Sequence, residues 1–517
     1  MAMVSQVGFI QEIPGMYFVK KTSRLWFVGW LLTLSVLTRG ANVATRLDFN
    51  PRLQLAYFET QKLRLDKARV LLAQERLENP DNGALIYVEN YADMYYLLIS
   101  EDRAAYNKLS KKEEERLAAL AALPDNSPYQ RLLRAEVRLH WAFAKLKFGN
   151  EISGCWDIIK AYKLLEENQK KFPAFVPTLK SLGLLHVLIG SVPEQYTWVT
   201  RTLGLSGDIA GGLRELRKVE KSETLFSQEA QLIHLLLHAY TLQLSDAQFR
   251  ELKNIPARQP DNLLLHFFAS SVLMKEGRSE EALLILDKAP RSSAYLPFPF
   301  LDYMRAEILL QKGQYDTAFR FYQKFQHDFK GFNFLKDSYF KLFLCRWLTG
   351  RDAEAKPLIA RVPNVGETIT ESDGYAEKLA ESYRDGQVKD EQKVLFKARY
   401  ASDGGYLREA LGQLDGYTEG SFSEAANKAE FNYRRGRILQ KMGKSSEAIA
   451  YFDRAIKLTQ SSGLYFGPSS ALQMGYIYKD LQNKPRAIVY FKKAMSYKKH
   501  EYKNSIDNKA RAALSSM

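Results

Sequence analysis

The sequence predicts an all-α fold, and more specifically an α-solenoid of stacked helical hairpins. After the first forty residues, apolar residues recur at helical rather than alternating spacing. A pattern of small and large residues also occurs twice near the end of the chain, with the copies 39 positions apart. The first copy is Gly436, Leu439, Ala448, Phe452 and Ala455, and the second is Gly475, Tyr478, Ala487, Phe491 and Ala494. Because one hairpin cannot bury its apolar face alone, units of this kind must stack on one another.

A recurrent turn signature supports the same fold. Five glycines are each followed, five positions later, by an alanine. The pairs are Gly277 with Ala282, Gly313 with Ala318, Gly350 with Ala355, Gly405 with Ala410, and Gly443 with Ala448. A glycine at a helix end permits the backbone that stops the helix, and the small residue lets the next helix cross closely. We therefore expect helical hairpins from the centre of the chain to its end.

Residues 1–40 have the layout of a secretory signal peptide. The segment begins with positively charged residues, continues with an apolar run over residues 25–37 and ends with small residues of the kind found at a cleavage site. In this interpretation, residues 1–15 are an upstream extension. The apolar run is shorter than the ~20 residues of a membrane-spanning helix, and an uncleaved N-terminal anchor is the alternative to a cleaved signal. We therefore expect an exported chain that is periplasmic or envelope-associated.

Strong stop signals divide the remaining chain into helices and then into arrays. Residues 41–360 are predicted to be an N-terminal and central helical repeat array, with Pro-Asp-Asn segments among its breaks. Residues 361–392 contain Val-Pro-Asn-Val-Gly and many acidic and small residues, so we predict a hinge or irregular repeat there. Residues 393–517 are predicted to be a C-terminal repeat array with a basic end.

The duplicated pattern has the spacing Gly-x2-(Leu/Tyr)-x8-Ala-x3-Phe-x2-Ala, which resembles the tetratricopeptide repeat. That repeat is about 34 residues long, so the excess length here falls in the connection between hairpins. The resemblance implies a solenoid whose first helices line a concave, protein-binding groove. The paired Lys, Asn and Arg of the family's carboxylate clamp are not reproduced, so recognition of chaperone tails is not supported.

Residues 187–216 depart from the repeat and are interpreted as an atypical hairpin. A proline and an apolar helix lead to Gly-Leu-Ser-Gly-Asp at residues 204–208, and a Gly-Leu pair follows. This order resembles a segment of the tetratricopeptide repeat protein 39 and mitochondrial inclusion-body-clearance family, with Leu205 in place of the usual aromatic residue. The resemblance implies an all-helical scaffold at or near a membrane, and it names no catalytic residues.

The candidate functional residues are those that the repeat geometry turns toward the groove. Counted from the small residue where two helices cross, the positions three before, one after and four after should face the groove. From Gly436, Gly475 and Ala306, the polar and aromatic residues so selected are Tyr433, Arg437, Gln440, Tyr476, Lys479, Tyr303 and Glu307. Tyrosine and arginine dominate interface energetics, which favours partner binding here. The alternative is that the tyrosines pack between adjacent first helices.

A second candidate surface is the lysine-rich C-terminal end. The formal net charge of the chain is +15. Part of this excess lies in Lys492, Lys493, Lys498, Lys499 and Lys503. Positive charge favours acidic partners or anionic surfaces. Two interpretations stay open, a solvated cap on the last repeat and a patch that binds an anion.

Motifs for catalysis, nucleotides and metals are not supported. The segment with the glycines that flank Asp208 does not end in Gly-Lys-Ser/Thr and follows no strand, so it is not a phosphate-binding loop. We interpret Asp208 as a helix cap. His234 and His238 lack the glutamate of a zinc motif, and we predict no metal site and no cofactor. Cys155 and Cys345 lie far apart, which excludes a disulfide framework, and we expect both to be buried.

The sequence thus predicts a non-catalytic, exported scaffold that binds a protein or peptide through its concave groove. The positive charge favours an acidic partner, and the family resemblance favours a place near a membrane. The alternative is an envelope-associated protein that binds anionic lipid or glycan through its basic end. A nucleic-acid partner suits the charge but not the export signal. A hydrolase would need convergent carboxylates or a metal, and the sequence supports neither.

Overall fold

The computed structural model describes residues 44–192, 197–241, 244–460, 462–515 and 517 of the 517-residue chain. Across these ranges the chain forms α-helices and short 3-10 helices, with no β-strand. The predicted all-α solenoid is confirmed. Residues 1–40, which hold the predicted signal peptide, lie outside the described part of the chain. Within that part, no helix has both the length and the apolar character needed to cross a membrane.

The helices are numbered in chain order. The N-terminal ones are α1 Pro51–Gln61, α2 Leu65–Glu78, α3 Gly83–Ser100, α4 Arg103–Leu109, α5 Glu113–Ala121, α6 Pro128–Lys147, α7 Glu151–Lys171, α8 Thr178–Gly190 and α9 Thr197–Thr202. The central ones are α10 Ile209–Glu220, α11 Ser227–Thr241, α12 Asp246–Arg258, α13 Leu263–Lys275, α14 Ser279–Asp287, α15 Phe300–Gln311, α16 Tyr315–Asp328, α17 Leu335–Trp347 and α18 Asp352–Ile359. The C-terminal ones are α19 Glu371–Arg384, α20 Gln392–Gly404, α21 Leu407–Gln413, α22 Ala425–Lys441, α23 Ser445–Leu458, α24 Phe466–Asp480, α25 Lys484–Ser496 and α26 Lys503–Ser515. Short 3-10 helices form at Ser110–Lys112, Val362–Asn364 and Glu419–Ser421.

The five glycine turns between paired helices have left-handed backbone geometry. Their φ angles lie between 69° and 86°, in the region that residues with a side chain rarely adopt. The alanine five positions after each glycine is fully buried. These alanines lie in the second helix of each hairpin, where it packs on the first. The turn signature read from the sequence therefore marks real hairpins.

In the two copies of the repeat, a glycine of the first helix faces a phenylalanine of the second. A Cβ atom at Gly436 would lie 2.9 Å from the Phe452 ring. A Cβ atom at Gly475 would lie 2.6 Å from the Phe491 ring. Both phenylalanines are fully buried. Glycine is therefore required for α22 to approach α23, and for α24 to approach α25.

Substitution of Gly475 by alanine is expected to destabilise the fold. The added methyl group must displace the buried Phe491 ring, and overpacking of this kind outweighs the better helix propensity of alanine. We expect the free energy of unfolding to fall by about 1–2 kcal/mol in urea denaturation followed by circular dichroism. Gly412→Ala is the matched control, because a Cβ atom there meets no atom within 4 Å. Equal effects of the two substitutions would contradict this account of the helix crossing.

The C-terminal helices fold back across the central ones. Helix α15 packs against α20, although α16, α17, α18 and α19 lie between them in the chain. A Cβ atom at Gly405 would lie 1.9 Å from the carbonyl oxygen of Gly277, so the two backbones touch. Farther along, Asn508 of α26 donates a hydrogen bond to the carbonyl oxygen of Ser191 at 2.9 Å, across 317 residues. These contacts bring the C-terminal helices against the ends of earlier helices.

The segment predicted to be a hinge or irregular repeat contains one long helix rather than a hairpin. The 3-10 helix Val362–Asn364 is followed by α19, which packs against α17. Asp373 of α19 accepts backbone hydrogen bonds from Phe334 at 2.7 Å and from Asp337 at 3.0 Å. These bonds tie the segment firmly to the start of α17.

Candidate partner-binding surface

Two of the predicted groove residues, Tyr303 and Glu307 of α15, lie in the interior. Tyr303 is 2% exposed and Glu307 is 6% exposed. Tyr303 donates a hydrogen bond to the Asp337 carboxylate, and Lys341 Nζ lies 2.8 Å from Glu307 Oε1. Burial, with the nearby Asp337 charge, holds the pKa of Tyr303 well above its usual range. We therefore correct the assignment of these two residues to an open groove, because side chains of α17 cover this face of α15.

Tyr433 also packs largely between helices. Its ring centroid lies 6.3 Å from that of Phe452, 6.0 Å from that of Tyr465 and 5.7 Å from that of Phe466. The side chain is half-buried, so part of the Tyr433 side chain stays accessible. The packing that the sequence left as an alternative is therefore present at Tyr433, and contact with a partner stays a prediction.

Arg437, another of the predicted groove residues, links two helices. Its Nη1 donates to Gln440 Oε1 at 2.7 Å and to Gln473 Oε1 at 2.5 Å, which links α22 to α24. Within the described part of the chain, these partners are neutral amides, and Arg437 forms no ion pair with a carboxylate. A guanidinium held in place in this way keeps its charge available for an anionic group of a partner.

Tyr476 and Lys479 extend this surface along α24. The Tyr476 ring meets the Phe491 ring edge to face, with centroids 5.3 Å apart, and burial raises the pKa of Tyr476 to about 12. Lys479 lies one turn farther along the helix and is half-buried. We call this surface the inner-face cluster, and it consists of Arg437, Gln440, Gln473, Tyr476 and Lys479. Of these, only Gln473 was missed by the count from the helix crossings.

More cations lie beside the inner-face cluster. Lys441 Nζ donates to the Ser402 carbonyl oxygen at 2.7 Å, and Lys275 Nζ lies 3.4 Å from the carbonyl oxygen of Ala239. Burial, with Arg437, Arg434 and Lys275 and against the opposing charge of Asp403, lowers the pKa of Lys441 to about 8. A positive potential therefore extends beyond Arg437 to the end of α22.

The predicted basic patch is spread over three segments. Lys492 and Lys493 belong to α25, Lys498 and Lys499 to the following connection, and Lys503 to the start of α26. Lys492, Lys498 and Lys499 are exposed, whereas Lys493 and Lys503 are half-buried. Lys503 Nζ lies 2.8 Å from Asp507 Oδ2, so its charge is partly balanced. The exposed lysines surround the C-terminal end of α25 rather than forming a pocket.

The residues weighed for catalysis or metal binding have structural partners. Asp208 Oδ1 accepts a hydrogen bond from the Gly211 backbone at 2.9 Å, which confirms it as the cap of α10. His234 Nδ1 lies 2.9 Å from Glu220 Oε2, and its ring meets that of His238 edge to face. Among the described residues, no three or more His, Cys, Asp or Glu side chains are grouped to hold a metal ion. Cys345 is buried as expected, but Cys155 is exposed, because it lies on the outer side of α7.

Comparisons with known proteins agree with this geometry. Residues 429–462 and residues 468–501 each match a family model described as Tetratricopeptide repeat. Residues 166–328 match the model of Iml2/Tetratricopeptide repeat protein 39, and this range includes the atypical hairpin. No curated protein matches the sequence.

Two solved structures match the chain at low sequence identity. A monomeric mutant of IFIT1 with Gppp-AAAA is 15% identical, and the match has a TM-score of 0.32 and covers 88% of this chain and 98% of that chain. The APC/C hetero-tetramer Cut9-Hcn1 provides a match that is 11% identical, has a TM-score of 0.27 and covers 92% of this chain and 100% of that chain. The chain therefore contains two tetratricopeptide repeats within an all-helical architecture, and its residues 166–328 resemble the Iml2/tetratricopeptide repeat protein 39 family.

Proposed function

We propose that this chain is a non-catalytic scaffold that binds an acidic segment of a partner protein on its inner-face cluster. Tetratricopeptide repeats serve protein–protein interaction, and the two matched repeats contribute α22 and α24 to this surface. The observation that carries the proposal is the Arg437 guanidinium, which two glutamine side chains orient without neutralising it. Charge-assisted hydrogen bonds from such a group to a carboxylate are strong and directional.

The aromatic and aliphatic parts of the cluster would supply contact area around this charge. Tyr476 is half-buried against Phe491, so little side-chain entropy is lost when a partner covers it. Lys479 adds a second positive charge one turn away. An extended or helical acidic peptide could therefore place one carboxylate on Arg437 and others along α24.

Affinity capture from native cell extract tests this proposal. We expect a protein that the wild-type chain enriches to be lost from the Arg437→Ala/Lys479→Ala variant. The matched control is Lys492→Ala/Lys498→Ala, which removes the same net charge from exposed positions on and after α25. Circular dichroism must show that both variants keep their helical content. Equal recovery by the two variants would place the binding site elsewhere.

We further propose that the scaffold works outside the cytoplasm, periplasmic or envelope-associated and near a membrane. One support is the group of positive residues followed by the apolar run at residues 25–37. The other is the resemblance of residues 187–216 to the tetratricopeptide repeat protein 39 and mitochondrial inclusion-body-clearance family. N-terminal sequencing of the chain recovered from fractionated cells tests this assignment. A start near Ala41 in the exported fraction supports a cleaved signal, and an intact N-terminus in the membrane fraction supports an anchor. Recovery from the cytoplasm alone would contradict export.

Binding of anionic lipid or glycan by the basic end is the second candidate function. It is favoured by the exposure of Lys492, Lys498 and Lys499 around one end of α25. We expect binding to vesicles with anionic lipid to weaken steeply with salt and to disappear when these three lysines are replaced by glutamine. Vesicle binding that the triple variant retains would remove this candidate.

A further inference from the structure

We propose that a cavity beneath the connection between α14 and α15 binds an amphiphile, an unbranched apolar chain that ends in a carboxylate or a phosphate group. The cavity has a volume of about 960 Å³. Binding sites for small molecules in proteins occupy roughly 300–1,000 Å³. This binding goes beyond the proposed function, because no residue of the inner-face cluster lines the cavity.

A long connection forms one wall of the cavity. It spans residues 288–299, whereas the glycine turns within the hairpins are much shorter. The Leu296 backbone N–H donates to the Leu63 carbonyl oxygen at 2.8 Å, and Arg64 Nη2 donates to the Tyr295 hydroxyl at 2.7 Å. Leu63 and Arg64 directly precede α2, which contributes another part of the wall. The connection is therefore held in place, and a preformed cavity limits the entropy that is lost on binding.

Apolar side chains from five different parts of the chain line the cavity. They include Leu65 of α2, Leu286 of α14, Phe298 of the connection, Leu301 of α15 and Phe321 of α16. Leu65 and Leu286 are buried, whereas the other three are half-buried and still present apolar surface. A hydrocarbon chain that covers these side chains removes their surface and its own from water, which is the main favourable contribution to such binding.

The connection offers few backbone donors to a ligand. Pro290, Pro297 and Pro299 all line the cavity, and proline has no N–H group. The N–H group of Leu296, between them, already donates to Leu63. An extended peptide in this place would bury amide groups without partners, which costs free energy. A hydrocarbon chain carries no such groups, so the wall favours it over a peptide.

The charges along the cavity favour an anionic end on the ligand. Arg291 and Lys330 line the cavity and are exposed, and within the described part of the chain neither forms an ion pair with a carboxylate. The three carboxylates of the lining are each paired with a cation: Asp66 with Arg69, and Asp302 and Asp328 with Lys324. The surplus charge is therefore positive. It lies in contact with solvent, so a carboxylate or phosphate can meet it there and stay hydrated while the chain lies inside.

Isothermal titration calorimetry of the full chain with decanoate at pH 7.4 tests the cavity. We expect one decanoate to bind per chain. Octanoate should bind about tenfold more weakly, because each buried methylene group contributes a factor of about three to four to the affinity. The cation decyltrimethylammonium has a chain of the same length, and we expect it to bind about fivefold more weakly than decanoate, since it meets Arg291 and Lys330 with the wrong charge.

The Ala294→Trp variant places decanoate in this cavity rather than elsewhere. Ala294 lines the cavity at an exposed position, so an indole ring can fill the space without disturbing the core. We expect its affinity for decanoate to fall about tenfold or more. The control Ala353→Trp, at an exposed position of α18 outside the cavity, should bind like the wild type. Circular dichroism checks the fold, and if Ala294→Trp does not fold, Ser293→Trp, also exposed in the lining, takes its place.

The Arg291→Gln/Lys330→Gln variant tests the preference for an anionic end. We expect decanoate to bind this variant about fivefold more weakly, and decyltrimethylammonium to bind it no more weakly than the wild type. Lys389→Gln/Arg408→Gln removes the same charge at exposed positions outside the cavity, and this control should leave both affinities unchanged.

Two results would overturn the proposal: a wild-type chain that does not bind decanoate, or a folded Ala294→Trp variant that binds it unchanged. Equal affinity of the wild type for decanoate and decyltrimethylammonium would overturn the assignment of an anionic end. Decyl phosphate distinguishes the source of that end. Tighter binding of decyl phosphate than of decanoate supports a phosphate ester, and weaker binding supports a carboxylate.

Discussion

Replacement of Lys180 by methionine is expected to lower the free energy of unfolding by about 3–5 kcal/mol. Lys180 lies in α8 with its side chain only 4% exposed. Its Nζ lies 2.7 Å from Glu136 Oε2 and 2.9 Å from Glu229 Oε2. Methionine keeps the volume but removes the charge, so two carboxylates lose their shared cation in the interior. An uncompensated buried charge is among the costliest defects that a single substitution produces.

The position of Lys180 explains why the effect should spread beyond one hairpin. Glu229 of α11 also accepts hydrogen bonds from Tyr57 at 2.9 Å and from Tyr91 at 2.7 Å. Glu136 belongs to α6, so the network joins the range that matches the Iml2 model to the N-terminal hairpins. Loss of the central cation is therefore expected to loosen the packing of five helices together.

Urea denaturation followed by circular dichroism measures this effect. Lys163→Met is the matched control, because Lys163 is an exposed lysine of the neighbouring helix α7. The control should change the free energy of unfolding by no more than about 0.5 kcal/mol. A loss below about 1 kcal/mol for Lys180→Met would show that the carboxylates find other partners or protonate at little cost.

Acid should destabilise the fold through His140. Burial, with the positive charges of Lys180 and Arg116, lowers the pKa of His140 in the folded chain to about 3. In the unfolded chain the pKa is about 6.5. A group whose folded pKa is depressed contributes stability that is fully present above the unfolded value and is lost as the pH falls. At pH 5 this loss amounts to about 2 kcal/mol relative to pH 7.

The His140→Gln variant isolates this contribution. In the wild type, His140 Nδ1 lies 2.9 Å from Asn90 Nδ2, and glutamine can offer an amide oxygen to that donor. Between pH 7 and pH 5, we expect the unfolding free energy of the wild type to fall by about 2 kcal/mol more than that of the variant. The control His327→Gln, at an exposed position, should follow the wild type at both pH values. A difference that does not change with pH would mean that His140 stays accessible to protons in the folded chain.

The hairpins could be predicted from the sequence because their signals are local. The glycine turns and the alanines at the helix crossings depend on residues within one hairpin, and the structure has both. The helical positions counted from Gly436 and Gly475 also placed Arg437 and Tyr476 on an accessible face of their helices. The same count failed at Ala306, where Tyr303 and Glu307 are covered by α17, a long-range contact with no local sign.

The charged networks were harder to predict, because each charge alone looks like an ordinary surface residue. Lys441 follows Arg437 by four positions, so helical spacing could have placed both on one face. Lys180 and Glu229 belong to different helices, and nothing in the sequence marks either as buried.

The most direct test of the account is site-specific photo-cross-linking on the inner face. A photo-reactive aromatic amino acid is placed at Tyr476, inside the cluster, and in a second chain at Val489, which is 60% exposed on α25. In native extract, the account predicts one discrete protein adduct from position 476, its loss on Arg437→Ala, and no such adduct from position 489. The same adduct from both positions, or an adduct from position 489 alone, would contradict a scaffold that binds its partner through the inner-face cluster.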